Sequence, residues 1–405
     1  MIPVDDAIRI LADAAEPREV VEAPLAQARG LALGEEIVAD RDFPPTDRSA
    51  MDGYAVRAAD VRGAEARLRL VGEVPAGTAA VGLAVGPSEA ARVFTGAVVP
   101  AGADAVVMLE GASEEAAGRL VRVEGPVEPG ENVRHRASDR CRGATIVEAG
   151  TPIHAPEVAA LASVGRVRIR VHRPPVVQVV STGDELVPPR ETPLPHQIRE
   201  SNGVMLVALL GEMGVAARIL GRVEDRPEAL ARTLGDGLGA DLLLVTGGMS
   251  VGAYDLVART LAEAGAATLF HGVAMRPGKP VLAARRGSTV AVGLPGNPVS
   301  ALVGFAVLVA PALRRMLGYR RWATPEIEAV LAAPLSQRPG RESFYLARIA
   351  WRGGRLEAER VAATGSGDVL ALSRANGLLR VAATASRLEA GERVRALLWR
   401  DSEFR

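Results

Sequence analysis

Between Pro174 and Gly318, short apolar runs suited to strands alternate with longer runs of helical period. The series includes "PVVQVVSTG", "NGVMLVALLGEMG", "AARILGRV", "RPEALARTLGDGL", "DLLLVTGG", "YDLVARTLAEAG", "PVLAARR" and "TVAVGLPG", then "PVSALVGFAVLVAPALRRML". Parallel strands need a crossover between them, and a helix is the usual one, so this spacing predicts a parallel sheet with helices on both faces. Near-continuous apolar strands such as "DLLLV" fit a sheet covered on both sides. Elsewhere the pattern differs. A helix is expected in "MIPVDDAIRILADAA", and "RDFPPTDRSAMDGYAV" reads as a loop dense in Pro, Asp and Gly. Short β-like runs fill Leu68 to Gly130, and short strands return after Gly318 as a small barrel or sandwich.

The chain has 405 residues, too many for one ordinary core, so three or four domains or subdomains are expected. Lys plus Arg balance Asp plus Glu at 48 each, so no global field draws the protein to nucleic acid or to a membrane. Aromatic residues make up only 3%, which argues against a base-stacking platform. Cys141 is the only cysteine, so there is no internal disulfide, and a reducing compartment is the simplest reading. The N-terminal run has two early aspartates and no basic stretch, unlike a signal peptide. Gly287 to Leu313 carries no charge and is long enough to span a bilayer, but "PGNP" splits it into a buried strand and a helix.

In open parallel sheets, ligands bind beyond the carboxyl ends of the strands. Three such ends carry unusual residues. "STGDEL" holds Gly183, Asp184 and Glu185, and "TGGMSVGAYD" holds Gly247, Gly248, Ser250 and Asp255. "GLPGNPVSA" holds Pro295, Gly296, Asn297, Pro298 and Ser300. Glycine lets backbone N–H groups approach an anion, and a helix start adds partial positive charge. In the last turn Asn297 suits the N-cap and Pro298 the first helical position. These loops suggest a phosphate-bearing or oxyanionic ligand, although no Walker-type phosphate loop is present. "MRPGKP" adds Arg276 and Lys279, a basic pair able to clamp an oxyanion. "NVRHRASDRCRG" packs arginines and His135 around Asp139, a pattern that a solvated basic loop would also give. Loop acids recur at Asp52, Asp139, Glu185, Asp225 and Asp255, and an oxygen-ligand Mg²⁺ site beside phosphate is the natural joint reading.

Together "SAMDGYAV", "TGAVVPAGADAVV", "NVRHRASD", "STGDEL", "TGGMSVGAYD", "MRPGKPV", "GLPGNPVSA" and "TGSGDVLALSRANG" resemble the molybdopterin molybdenumtransferase (MoeA) family and the gephyrin E domain. The ordered set spans nearly the whole chain. The resemblance implies an α/β multi-domain fold with a MogA-like doubly wound domain at 174–318. It also implies an inserted β-rich domain at 43–135, a discontinuous helical and extended domain at 1–42 and 136–173, and a C-terminal β-barrel at 319–405. It implies a cytoplasmic molybdenum insertase that takes adenylylated molybdopterin and molybdate with Mg²⁺ and releases AMP. Alternatives are a molybdopterin adenylyltransferase and a non-catalytic gephyrin-like scaffold. The implied partners are a second copy in a homodimer, a MogA-type adenylyltransferase and molybdoenzyme maturation proteins, with no nucleic acid and no membrane.

Carried over residue by residue, the functional acids match Asp52, Asp139, Glu185, Asp225 and Asp255, the last three as the Mg²⁺ set. Thr95 matches the "TGA" threonine. Arg276 and Lys279 match the basic turn, Ser250 and Ser300 the two loop serines, Ser366 an oxyanion-linked serine and Arg341 a nearby arginine. Three positions depart from common family forms: Arg276 where lysine is frequent, "RASD" for an "RGED"-like segment, and Ala253 for an acid.

Overall fold

The computed structural model describes residues 1–249 and 256–399. The chain forms two compact units: Met1–Glu35, Ala149–Ala155 and Arg168–Arg405 make the first, and Glu36–Glu148 with Pro156–Val167 the second.

The first unit contains the expected α/β sheet. Its six strands run in the order Ala217–Val223, Val177–Thr182, Leu242–Thr246, Thr289–Leu294, Leu282–Arg286 and Ala267–His271. The first four are mutually parallel. The last two pairings are antiparallel, so Leu282–Arg286 alone runs against the other five strands, and the expected parallel sheet is in fact mixed. The cause is local. Arg286 pairs with Thr289, so only Gly287 and Ser288 connect the strands, and a two-residue link makes a hairpin rather than a crossover. Leu242–Thr246 and Thr289–Leu294 are buried along their whole length, as central strands covered on both faces must be.

The uncharged run after "PGNP" folds as a continuous helical segment, Pro298–Met316, whose length and hydropathy would suit a membrane span. Yet 83% of its most apolar window is buried inside the fold. Phe305–Val309 widens into a π-helical turn just before Pro311. Proline has no N–H to donate and its ring crowds the preceding turn, so the helix is locally rewound. The Thr324 hydroxyl donates to the Ala306 carbonyl in that turn (3.3 Å). The chain then enters a barrel. Strands Glu342–Arg352, Arg355–Arg360, Glu326–Leu331, Arg393–Leu398 and Gly377–Val381 pair in that order, and the last pairs with the first to close the ring. Ala347, Ile349, Ala358, Leu379 and Ala396 fill it.

The second unit holds a six-stranded sheet ordered Ala105–Met108, Gly53–Val56, Glu89–Val93, Glu65–Val74, Leu120–Glu124 and Ala112–Glu115. Its second strand lies inside the segment expected to be a loop. Gly53–Val56 is fully buried between two antiparallel neighbours. Tertiary pairing outweighs the turn-forming composition of the flanking residues. Gly53 is required there, because a Cβ would sit 1.8 Å from the Val107 carbonyl oxygen.

Candidate functional site

The four parallel strands present their carboxyl ends on one rim. Beyond it lies a cleft of about 840 Å³. Gly183, Glu185, Asp225, Gly247, Gly248, Gly296, Asn297 and Pro298 all line this cleft, so residues from the three glycine-bearing strand ends meet there with Asp225 from a fourth loop. Ser250 and Asp255, with Ala253, lie outside the described residues. Gly247 has φ +94°, and a Cβ there would fall 2.0 Å from the Thr182 carbonyl oxygen. The double glycine is thus fixed by a close approach of two strand ends as well as by any ligand.

Hydrogen bonds hold the rim. The Thr182 hydroxyl donates to Asp225 Oδ1, and the Asp225 N–H donates to Asp184 Oδ1 (3.1 Å). Asp184 therefore acts on the loop of Asp225. Asn297 occupies the N-cap position and Pro298 the first helical position, but the Asn297 side chain makes no capping bond. It lines the cleft instead, and the Val299 N–H donates to the Ser366 carbonyl oxygen (3.1 Å). The buried Asn202, which the sequence reading missed, holds the turn. Its Nδ2 donates to Thr246 Oγ1 (2.9 Å) and to the Gly296 carbonyl (2.7 Å). The Thr246 hydroxyl also reaches the Pro295 carbonyl (3.3 Å). One amide thereby ties a helix start to two strand-end loops. Glu200 was missed as well; it accepts from the Ser181 hydroxyl (3.0 Å) and the Gly203 N–H (2.6 Å). The signal was a polar "RESN" run directly before an apolar helix.

A second cavity, about 320 Å³, is lined by Arg276, Pro277, Tyr345, Arg360 and Ser366 among others. It lies next to the cleft: Pro298 and Gly367 line the cleft, and their chain neighbours Val299 and Ser366 line this cavity, whose remaining lining includes the apolar Phe344, Leu346, Val361 and Ala363. Met275–Arg276 pairs with Glu342–Ser343, which docks the basic turn on the barrel. Arg276 Nη1 donates to the Arg338 carbonyl (3.1 Å). Lys279 is exposed, and Ser300 is buried at the start of the long helix. Arg341 immediately precedes Glu342 and lines neither cavity.

Asp52, Thr95 and Asp139 belong to the second unit. Asp52 Oδ1 accepts from the Thr95 N–H (2.7 Å) and the Thr95 hydroxyl (2.9 Å). These two bonds, the N–H first, hold the Asp52 carboxyl below its ordinary pKa. Thr95→Val keeps the N–H bond and removes the hydroxyl bond. Its expected effect is a partial rise of the Asp52 pKa, read by carboxyl NMR titration. An unmoved titration would show that the hydroxyl bond has no influence. Asp139 is exposed and pairs with Arg134 (2.5 Å), while Arg136 pairs with Asp42 (2.5 Å). Much of the basic loop's charge is therefore compensated within the loop and its neighbours.

Among the described residues, no group of three His, Cys, Asp or Glu side chains is arranged to hold a metal ion. Glu185 and Asp225 share the cleft, and the third expected carboxylate, Asp255, is outside the described residues.

Comparison with known proteins identifies the family. Residues 2–165 match the family model of the MoeA N-terminal region (domain I and II), and residues 178–315 that of a probable molybdopterin binding domain. Residues 328–399 match the MoeA C-terminal region (domain IV). The molybdopterin molybdenumtransferase of Nostoc sp. is 37% identical over 342 residues, covering 82% of this chain and 77% of that one. Molybdopterin molybdenumtransferase 2 of Mycobacterium tuberculosis is 35% identical over 391 residues, covering 94% and 95%. The crystal structure of the molybdopterin biosynthesis moeA protein from Pyrococcus horikoshii OT3 aligns with TM-score 0.84 at 29% identity, covering 98% of this chain and 100% of that one. The chain belongs to the molybdopterin molybdenumtransferase (MoeA) family, transferases of molybdenum cofactor biosynthesis.

Proposed function

We propose that this chain takes adenylylated molybdopterin and molybdate, with Mg²⁺, inserts molybdenum into the pterin dithiolene and releases AMP. The observation that carries this reading is a glycine-lined cleft beside a small, mainly apolar cavity that carries two arginines. The cleft suits the phosphates of the adenylylated pterin, because its glycines let an anion approach the backbone closely and the helix starting at Pro298 adds partial positive charge; the Gly183 and Gly247 N–H groups themselves donate to the Val223 and Leu294 carbonyls (3.2 Å each). The cavity suits a tetrahedral oxyanion, because Arg276 and Ser366 offer charge and hydrogen bonds that replace its water.

Glu185 and Asp225 supply hard oxygen donors on the cleft wall. Mg²⁺ commonly takes one or two carboxylates together with phosphate oxygens, so this donor set fits it. Asp225 Oδ2 has no hydrogen-bond partner among the described residues, while Oδ1 is held by Thr182. Bound there, Mg²⁺ would offset the charge of the phosphates and of the departing AMP. Asp184 and Thr182 orient Asp225, and Asn202 fixes the turn that carries Gly296. A homodimer is part of this proposal, as are the expected adenylyltransferase and maturation partners.

Lys279→Ala tests the assignment of the basic turn. Losing a hydrogen bond to a charged group costs roughly 1.5–3 kcal/mol, or about ten- to a hundred-fold. The molybdate concentration for half-maximal AMP release is expected to rise by that factor, with affinity for the adenylylated pterin changing much less. Loss of pterin affinity with molybdate dependence intact would reassign the turn to the phosphates.

A further inference from the structure

The closed barrel places a second arginine in the cavity that the motif pattern did not single out. On strand Glu342–Arg352, Ser343 pairs with Arg276 and Ala347 pairs with Arg360. Residues 343, 345 and 347 share one face of that strand, and paired residues share it too, so Arg276, Tyr345 and Arg360 fall on the same face of the sheet. Arg360 is the last residue of its strand, one inward position beyond the buried Ala358. Its guanidinium lies over the Tyr345 ring, 4.5 Å from the centroid. Such a stack steadies the side chain while leaving its N–H edge open. The nearby acids on the same strand are taken, Glu357 by Arg355 (2.8 Å) and Glu359 by Arg352 (3.7 Å). Among the described residues, neither Arg276 nor Arg360 has a carboxylate partner, and both line the cavity with Ser366.

We propose that Arg360, steadied by Tyr345, is a specificity-determining residue that binds a doubly charged tetrahedral oxyanion together with Arg276 and Ser366. This rests on reading the Arg276 turn as the molybdate site. A dianion stripped of water needs more than one fixed positive charge, and a second guanidinium fork supplies both charge and directed donors. A tetrahedral monoanion of similar size gains less from it.

The test is calorimetric titration of molybdate, and separately of perrhenate, into the full-length protein without pterin. Wild type, Arg360→Gln, Arg360→Lys and Lys279→Ala are compared, with thermal melts as a check on folding. Arg360→Gln is expected to weaken molybdate binding about ten-fold or more and perrhenate binding clearly less. Arg360→Lys is expected to recover part of the loss. In turnover, Arg360→Gln should raise the molybdate KM and leave kcat within about two-fold. Wild-type molybdate affinity in Arg360→Gln, with affinity lost in Lys279→Ala, would overturn the role of Arg360 and leave the turn's assignment standing. No molybdate binding to the wild-type protein, or binding unchanged in both variants, would overturn the assignment of the turn and the proposal with it.

Discussion

Glu185→Gln and Asp225→Asn are each expected to cut AMP release by about 10²–10³-fold while leaving the fold intact, the scale seen when one preorganised electrostatic contact to a transition state is removed. Both side chains line the cleft at parallel strand ends, where the phosphates and their cation would sit. Neither substitution changes side-chain size much, so packing is preserved. Asparagine at 225 keeps an oxygen able to accept from the Thr182 hydroxyl, so the loop keeps its anchor. What is lost is the negative charge that would hold Mg²⁺. Single-turnover AMP release and a thermal melt separate the two effects. The same variants should need more Mg²⁺ for half-maximal rate. Near-normal turnover in either variant removes that acid from the mechanism.

Asp241→Ala is the substitution expected to cost the most stability, about 3–5 kcal/mol, because it strands a buried charge. Asp241 is buried just before the central strand Leu242–Thr246. Its carboxylate accepts from Arg18 (3.0 Å), from Arg173 (2.6 and 3.1 Å) and from the Val176 N–H (2.8 Å). Arg18 is itself only 7% exposed and pairs with Asp241 alone among the described carboxylates, so removing that partner leaves a buried guanidinium held only by the Glu16 carbonyl. Burial pushes the Asp241 carboxyl up, but the bonds from Arg173, Val176 and Arg18 outweigh it and hold the pKa at about 2. The folded value thus lies below the unfolded one. The stabilisation is fully present above the ordinary Asp value of roughly 3.9 and is lost as pH falls towards 2. Urea unfolding at neutral pH should show the loss, and the variant's stability should fall less steeply than the wild type's over that acid window. A loss below about 1 kcal/mol would mean that the network is no stronger than a surface ion pair.

The central sheet was legible because apolar runs and glycine turns act locally. "DLLLV" is too apolar to be half-exposed, and Pro298 after Asn297 marks a helix start whatever surrounds it. The cleft residues followed, since a strand's carboxyl end is set by chain direction once the sheet is parallel. Three features depend on partners distant in sequence and were not legible. Gly53–Val56 is a strand only because Glu89–Val93 and Ala105–Met108 flank it. Asn202 acts through Thr246 and Gly296, 44 and 94 residues away. Nothing in the sequence sets Arg360 apart from the other arginines; barrel closure pairs it with Ala347, on the strand face that carries Tyr345 and meets Arg276. The expected Asn297 cap failed for a related reason: the residue suits the position, but its side chain faces the cleft.

The most direct measurement is AMP release from adenylylated molybdopterin by the purified protein with Mg²⁺, in the presence and absence of molybdate. The predicted result is AMP release that rises and saturates with molybdate, with one AMP formed per molybdenum cofactor. AMP release independent of molybdate, or ATP-dependent adenylylation of molybdopterin in its place, would contradict the insertase reading.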